Sequence, residues 1–272
     1  MNKPLNKRDI EYARKRIFVC CPFDMMANGL LDKIIRAGIN PEIGLNCDMQ
    51  PYSNGYIAET AARLREAGRR ATIHAAFSDL VTGASDSKIR QVSIERIVFA
   101  IDMAEIFDAG HVIFHSGYDE WRHGEHQDKF LEKAVESISI LLEHASGKGI
   151  KLMLENVYEP TPWLHSEIFS RFGTEFLGFC LDPGHAVVFS GTPPMEWLKA
   201  VGERLGQMHV HDNMGKQDDH LPPGRGIIDF DAIFRRVNEA GLRPVITIEP
   251  HEEDFVYPAL EATGRLMSEH GL

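Results

Sequence analysis

Short β-rich apolar runs recur along the 272 residues: RIFVCCPF from Arg16, PEIGLN from Pro41, RATIHAAF from Arg70, HVIFHSG from His111, IKLMLENV from Ile150, LGFCLDPGHA from Leu177, GQMHVHDN from Gly206 and RPVITIEPH from Arg243. Between them lie stretches such as YIAETAARLREAG, IERIVFAIDMAEIFDAG, FLEKAVESISILLEHASGKG and FDAIFRRVNEAG, whose apolar residues return at helical spacing and which mostly close on glycine, as helix ends prefer. Continuous apolar strands alternating with amphipathic helices predict a parallel sheet covered by helices. Eight repeats match a single closed (β/α)8 barrel over residues 17–272, preceded by an N-terminal extension, residues 1–16. A doubly wound open sheet is the competing arrangement, but no Gly-x-Gly-x-x-Gly turn follows the first run.

In such a barrel the C-terminal ends of all strands open on one face, so polar residues that end successive runs become neighbours. The third run offers His74, the fourth His115, the fifth Glu155, and the sixth Asp182 with His185 after a Pro-Gly turn. The seventh brings His209 with His211 and Asp212 behind it, the following loop Asp218, Asp219 and His220, and the eighth Glu249 with His251 beyond. The sequence LPPGRG stiffens the loop that carries Asp218 and His220: Pro222 and Pro223 fix φ, while Gly224 and Gly226 permit tight backbone geometry. Imidazole nitrogen combined with carboxylate oxygen suits zinc or manganese, and equally iron or cobalt. Five histidines and four carboxylates exceed the needs of one ion, so the expected cofactor is one to three divalent ions, with Glu155 and Glu249 as bridging candidates.

Composition narrows the partners. Lys+Arg number 29 against 40 Asp+Glu, a net charge of −11, which disfavours an extended nucleic-acid groove and favours small polar substrates. The basic N-terminal segment lacks the apolar core of a signal peptide, and no run approaches the roughly 20 apolar residues that span a bilayer, so the expectation is a cytoplasmic protein without a membrane partner. Cys20, Cys21, Cys47 and Cys180 lack zinc-knuckle spacing and read as reduced core residues.

Other residues carry weaker signals. His144, His165, His270 and Asp102 lie on helical stretches and are expected at the surface. The segment GYDEWRHGEHQ reads as a solvated loop or as a lid in which Trp121 stacks on a sugar or Arg122 pairs with a phosphate. Trp163 either shapes a pocket wall or begins a helix, and Asp212 is expected to orient His209 or His211. Lys216 and Arg225 are the cations near the mouth that a substrate phosphate would meet, and Tyr52 reads as an ordinary loop tyrosine.

LENV, LDPGH, HVHDN through DDHLPPGRG, and IEP occur in an order that resembles the xylose-isomerase-like TIM barrel superfamily. That group includes sugar and sugar-phosphate isomerases and epimerases and the endonuclease IV group, AP endonuclease family 2. Resemblance to the ketose epimerases implies one ion held by Glu155, Asp182, His209 and Glu249. It also implies proton exchange by the two glutamates and substrate contact by His185, with His211 as the alternative. Resemblance to the endonuclease IV group implies three zinc ions on His74, His115, Glu155, Asp182, His185, His209, Asp218, His220 and Glu249.

Either chemistry is physically sound. A divalent ion on adjacent carbonyl and hydroxyl oxygens acidifies the C–H between them and stabilises an enediolate, with carboxylates on both sides to move the proton. A cluster of ions can instead supply hydroxide to a phosphodiester. The acidic balance and short turns after the first two strands favour a sugar or sugar-phosphate isomerase or epimerase over the metal-dependent phosphoester hydrolase, with a non-catalytic metal- or sugar-binding barrel third. A homodimer is the expected assembly.

Overall fold

Eight parallel strands close on themselves in sequence order: β1 (Ile17–Pro22), β2 (Asn40–Gly44), β3 (Thr72–His74), β4 (His111–His115), β5 (Lys151–Glu155), β6 (Leu177–Leu181), β7 (Leu205–Val210) and β8 (Val245–Ile248). Closure is made by β1, which pairs with β2 through Phe18–Asn40 and with β8 through Ile17–Ile246. This is a computed structural model that describes residues 15–47 and 52–272. Most of the expected N-terminal extension, residues 1–14, lies outside them, as does part of the turn after β2.

A helix follows each strand: α1 (Leu31–Ala37), α2 (Asn54–Glu66), α3 (Ser87–Phe107), α4 (Gln127–Ser146), α5 (Trp163–Arg171), α6 (Pro194–Val201), α7 (Phe230–Glu239) and α8 (Val256–His270). Several starts are fixed by side-chain caps that satisfy otherwise orphaned N–H groups, Ser53 for α2, Asp86 for α3 and Asp229 for α7. The glycines expected at helix ends follow α2, α4 and α7 as left-handed Gly68, Gly149 and Gly241, but α3 closes on Asp108, which takes a left-handed φ of 54° two residues before Gly110.

The strands are not uniformly apolar as the sequence reading expects; they alternate. Met208 and Val210 of β7 belong to the main core under the helices, together with Phe179 and Phe234, whereas Ile113, Met153 and Cys180 form a separate small apolar cluster. Glu42 on β2 accepts a hydrogen bond from Gln207 on β7, and Gln207 Oε1 lies 3.0 Å from His111 Nδ1 on β4. Only side chains pointing into the barrel reach across non-adjacent strands, so the inner positions form a largely polar column that ends at the C-terminal mouth.

Several surface expectations change. His165 is fully buried on α5, packed edge-on against Trp197 at 5.1 Å and Phe179 at 5.6 Å, because its position falls on the same helical face as Leu164, Ile168 and Phe169. Burial holds its imidazole below the ordinary pKa. His144 and His270 are half-buried, at 2.8 Å from Asp102 and Asp231 respectively. Trp163 begins α5, and part of GYDEWRHGEHQ is helical, Glu120–His123. Tyr52 donates to Asp24 at 2.7 Å. The cysteines are unpaired, Cys21 and Cys180 buried and Cys20 and Cys47 half-buried. No helix of the described residues is long and apolar enough to cross a membrane.

Candidate metal centre

The mouth begins with Glu155 at the end of β5, opposite His115 in the β4–β5 register. Glu155 is buried, and four imidazoles surround it. Its Oε2 lies 3.2 Å from His74 Nε2 and 3.1 Å from His115 Nε2; its Oε1 lies 3.0 Å from His185 Nδ1 and 3.3 Å from His209 Nδ1. His74 is oriented by its other nitrogen, 2.8 Å from the Ala75 carbonyl oxygen, which leaves Nε2 facing the carboxylate. Burial opposes ionisation of Glu155, but the imidazoles, His209 and His115 foremost, outweigh it and hold the carboxyl well below its usual range.

Asp182 follows β6 and caps the short helix Pro183–Val188, accepting from the His185 N–H at 2.7 Å, with proline at the first helical turn. The expected Pro-Gly turn is thus a helix start that fixes His185 one turn from its cap. Asn156, from LENV, clamps the Asp182 backbone in both directions, accepting at 2.9 Å and donating at 2.8 Å. The second Asp182 oxygen is 2.9 Å from His211 Nε2 and 3.5 Å from His185 Nδ1. Burial works against the Asp182 charge, yet His185 and His211 bring its pKa down to about 2.

The loop after β7 supplies the remaining donors. Asp218 lies 3.0 Å from His220 Nε2, 3.3 Å from His185 Nε2 and 3.6 Å from His211 Nδ1. His220 takes a left-handed φ of 50°, with Nδ1 2.7 Å from the Glu249 carbonyl oxygen and its ring stacked between His211 and His251, 3.9 and 3.6 Å away. A non-glycine residue in that region carries backbone strain, tolerated where its surroundings fix it.

Asp212 does not orient His209 or His211 as expected. It is buried under the loop and accepts from the N–H groups of Gly224 (2.9 Å), Gly226 (2.8 Å), Ile228 (3.1 Å) and Asn213 (2.9 Å). Gly226 is required by close approach: a Cβ there would lie 2.2 Å from the Asn213 carbonyl oxygen and 2.3 Å from Asp212 Oδ1. Gly224 has φ +86°.

Glu249 completes the ring from the end of β8, with Oε1 3.3 Å from His209 Nδ1 and Oε2 3.7 Å from His211 Nε2. All nine expected ligands therefore meet at one rim, joined by His211, which the sequence reading treats as a substrate contact. Of the other expected substrate contacts, Trp121 is 91% exposed, Lys216 is exposed, and the exposed Arg225 guanidinium lies over the Phe255 ring.

Glu42 was missed. It sits in mid-strand, where a carboxylate gives no sign of reaching the mouth, yet its Oε1 is 3.0 Å from His209 Nε2.

The donors fall into overlapping groups with ligand atoms within 4.8 Å of one another: His74, His115 and Glu155; Glu155, Cys180 and His209; Glu42, His209 and Glu249; Asp182, His185 and His211; and His211, Asp218 and His220. Buried Glu155 Oε1, His209 Nδ1, His211 Nδ1 and Asp218 Oδ1 have no hydrogen-bond partner. Isolating such groups from water is costly unless something fills the space between them, and donors that are mostly carboxylate oxygen and imidazole nitrogen fit a divalent cation of the zinc or manganese type.

An eight-stranded parallel barrel whose C-terminal mouth gathers histidines and carboxylates defines an α/β-barrel protein with a candidate metal centre. The chain belongs to the family described as xylose isomerase-like TIM barrel, whose model matches residues 39–268. It is 33% identical over 185 residues to uncharacterized protein MJ1311 of Methanocaldococcus jannaschii, covering 65% of this chain and 63% of that protein. It is 26% identical over 176 residues to fructoselysine 3-epimerase of Shigella flexneri, covering 60% of each chain. The chain thus spans less than two thirds of the length of these relatives. A D-tagatose 3-epimerase-like protein of known structure superposes with a TM-score of 0.82 at 25% identity, over 94% of this chain and 98% of the other.

Proposed function

We propose that the protein is a divalent-metal-dependent sugar or sugar-phosphate epimerase or isomerase, working on a ketose by proton transfer next to the carbonyl. The observation that carries the reading is the approach of Glu155 from β5 and Glu249 from β8 to the same nitrogen, His209 Nδ1, each at 3.3 Å. Similarity to fructoselysine 3-epimerase supports the same class. Glu155, Asp182, His209 and Glu249 would hold the ion, zinc or manganese, which when bound supplies positive charge that acidifies the carbon next to a carbonyl. Glu249, the more open of the two glutamates, takes the proton from one side of a substrate seated between the strands, and Glu155 returns one from the other. His185 and His211 orient the substrate hydroxyls, while the Asp212-anchored loop limits the entry of water. The unpaired cysteines fit a cytoplasmic enzyme of carbohydrate metabolism.

A second reading, a phosphoester hydrolase with two or three zinc ions, is favoured by one observation: Glu155 offers one oxygen to His74 and His115 and the other to His185 and His209. A single ion needs no such sharing, and clustered ions suit attack on a phosphodiester. Metal analysis of protein purified without chelator, combined with solvent-deuterium incorporation into ketoses and ketose phosphates, separates the two. Exchange at the carbon beside the carbonyl supports the epimerase. About three equivalents of zinc with phosphodiester cleavage and no exchange overturns it in favour of the hydrolase.

A further inference from the structure

Glu42 is fully buried inside the barrel, one layer below the mouth. Its two oxygens have different work. Oε2 accepts from Thr72 Oγ1 at 2.9 Å, from Thr247 Oγ1 at 2.9 Å, and from Gln207 Nε2. Gln207 is itself fixed, its Oε1 lying 3.0 Å from His111 Nδ1 and its Nε2 3.1 Å from Thr247. Three donors from three strands thus lock the carboxylate in one rotation. Oε1 is left to face His209 Nε2 at 3.0 Å, an ion-pair contact and not an aligned hydrogen bond, since neither atom has a hydrogen-bond partner.

We propose that Glu42 is the positioning residue of the metal centre: it keeps the His209 proton on Nε2, so that the Nδ1 lone pair faces Glu155 and Glu249. This rests on the metal-site reading above and extends it inward by one shell. An imidazole that binds a cation through one nitrogen has to carry its proton on the other, and a carboxylate acceptor there fixes both tautomer and ring orientation. An ordinary structural carboxylate would spread its oxygens over several backbone donors. Here the three donors on Oε2 serve to aim Oε1 at one ring.

The geometry makes an unusual ordering of variants testable. In Glu42→Gln the three donors on the Oε2 side draw in the amide oxygen, which turns the amide NH2 toward His209 Nε2. That nitrogen then has to accept, its proton moves to Nδ1, and the lone pair needed for the cation is lost. In Glu42→Ala the space admits water, which can accept from Nε2–H and leaves the productive tautomer within reach.

Cobalt(II) titration of the metal-free full chain, read by visible absorption and by calorimetry, tests this, with thermal unfolding of the metal-free variants run alongside. Glu42→Gln is expected to weaken the tightest cobalt site by about 10–100-fold, the usual scale for such an outer partner, and to alter the absorption envelope. Glu42→Ala should weaken it less, although Ala lowers the unfolding temperature more. Should Gln bind cobalt with wild-type affinity and spectrum, or should Ala weaken binding more than Gln, the positioning role is overturned. Failure of the wild-type chain itself to bind cobalt overturns the metal-site reading, a result distinguishable from the first. If Ala does not fold, the isosteric Gln variant alone decides by its affinity and spectrum.

Discussion

Asp212→Asn probes the loop that carries Asp218 and His220. In the native chain Oδ2 receives the Gly224 and Gly226 N–H groups and Oδ1 those of Ile228 and Asn213, four contacts at 2.8–3.1 Å. Asparagine has nearly the same shape but only one acceptor oxygen, so two of these N–H groups meet an NH2 donor instead. Each buried donor left unsatisfied costs about 1–3 kcal/mol, giving about 2–6 kcal/mol for the pair. The lower end applies if the Gly224 side opens, because that residue is exposed and water can replace the lost acceptor. At about 2–4 °C per kcal/mol, a loss of about 2 kcal/mol felt globally would lower the unfolding temperature by about 4–8 °C. The backbone bridge between Asp212 and Leu221, at 2.7 and 2.8 Å, is untouched. The loop beyond it should therefore loosen locally while the barrel stays folded. Hydrogen exchange of residues 212–228 and the metal content of the purified variant are the assays: faster exchange in that segment and loss of any ion held by Asp218 and His220 are expected. Native exchange rates together with native metal content would refute the reasoning.

Three further outcomes are expected. Glu249→Gln should reduce deuterium exchange into substrate by about 10²–10⁴-fold, the usual share of a positioned acid or base, with an unchanged far-ultraviolet circular dichroism spectrum; an active variant would remove Glu249 from proton transfer. Gly184→Ala places a Cβ 2.2 Å from His211 Cε1, so it should displace that ring and weaken metal binding while leaving the outer helices intact, as seen by metal titration and near-ultraviolet circular dichroism. In the metal-free protein, burial opposes the charge on His185 and His209, but the surrounding acidic groups, Asp182 foremost for His185 and Cys180, then Glu249 and Glu155, for His209, raise both pKa values well above the ordinary one. Groups raised in this way stabilise the fold below about pH 6.5 and lose that contribution as pH climbs through their folded values; Asp182, lowered to about 2, contributes above about pH 4 and loses it on acidification. Metal-free protein should therefore be most stable between about pH 4 and 6.5. Added zinc should restore stability at pH 8 and release protons, measurable by calorimetry in buffers of different ionisation enthalpy; unfolding temperatures that rise steadily to pH 9 without metal would contradict this.

The barrel and most of its mouth were legible because strand ends obey a simple geometric rule: His74, His115 and Glu155 each finish an apolar run, and a parallel barrel turns all such ends toward one face. Asp218 and His220 were legible from ligand-type residues beside a stiff loop. Glu42 was not, because NPEIG looks like any short strand and a single acid in it reads as an exposed position. The available signal was physical: a strand of a closed barrel has no solvent side, so an acid within it needs partners. His165 was missed because histidine suggested a surface, although its spacing with Leu164, Ile168 and Phe169 marks the packed face of α5. The role of Asp212 depends on N–H groups 12–16 residues further along, a separation that no local pattern encodes.

The alternation along β7, with Met208 and Val210 under the helices and Gln207 and His209 within, ties chemistry to reading frame. Slipping this strand by a single position would drive imidazole and amide into the aliphatic layer and send methionine and valine to the axis, ruining packing and reactivity at one stroke. A two-residue slip would preserve that polarity yet shift the ligands by nearly 7 Å along the axis, far beyond reach of a common cation. Laboratory evolution of this scaffold should therefore tolerate length changes in the connections at the opposite end of the barrel and reject nearly every insertion or deletion inside the strands.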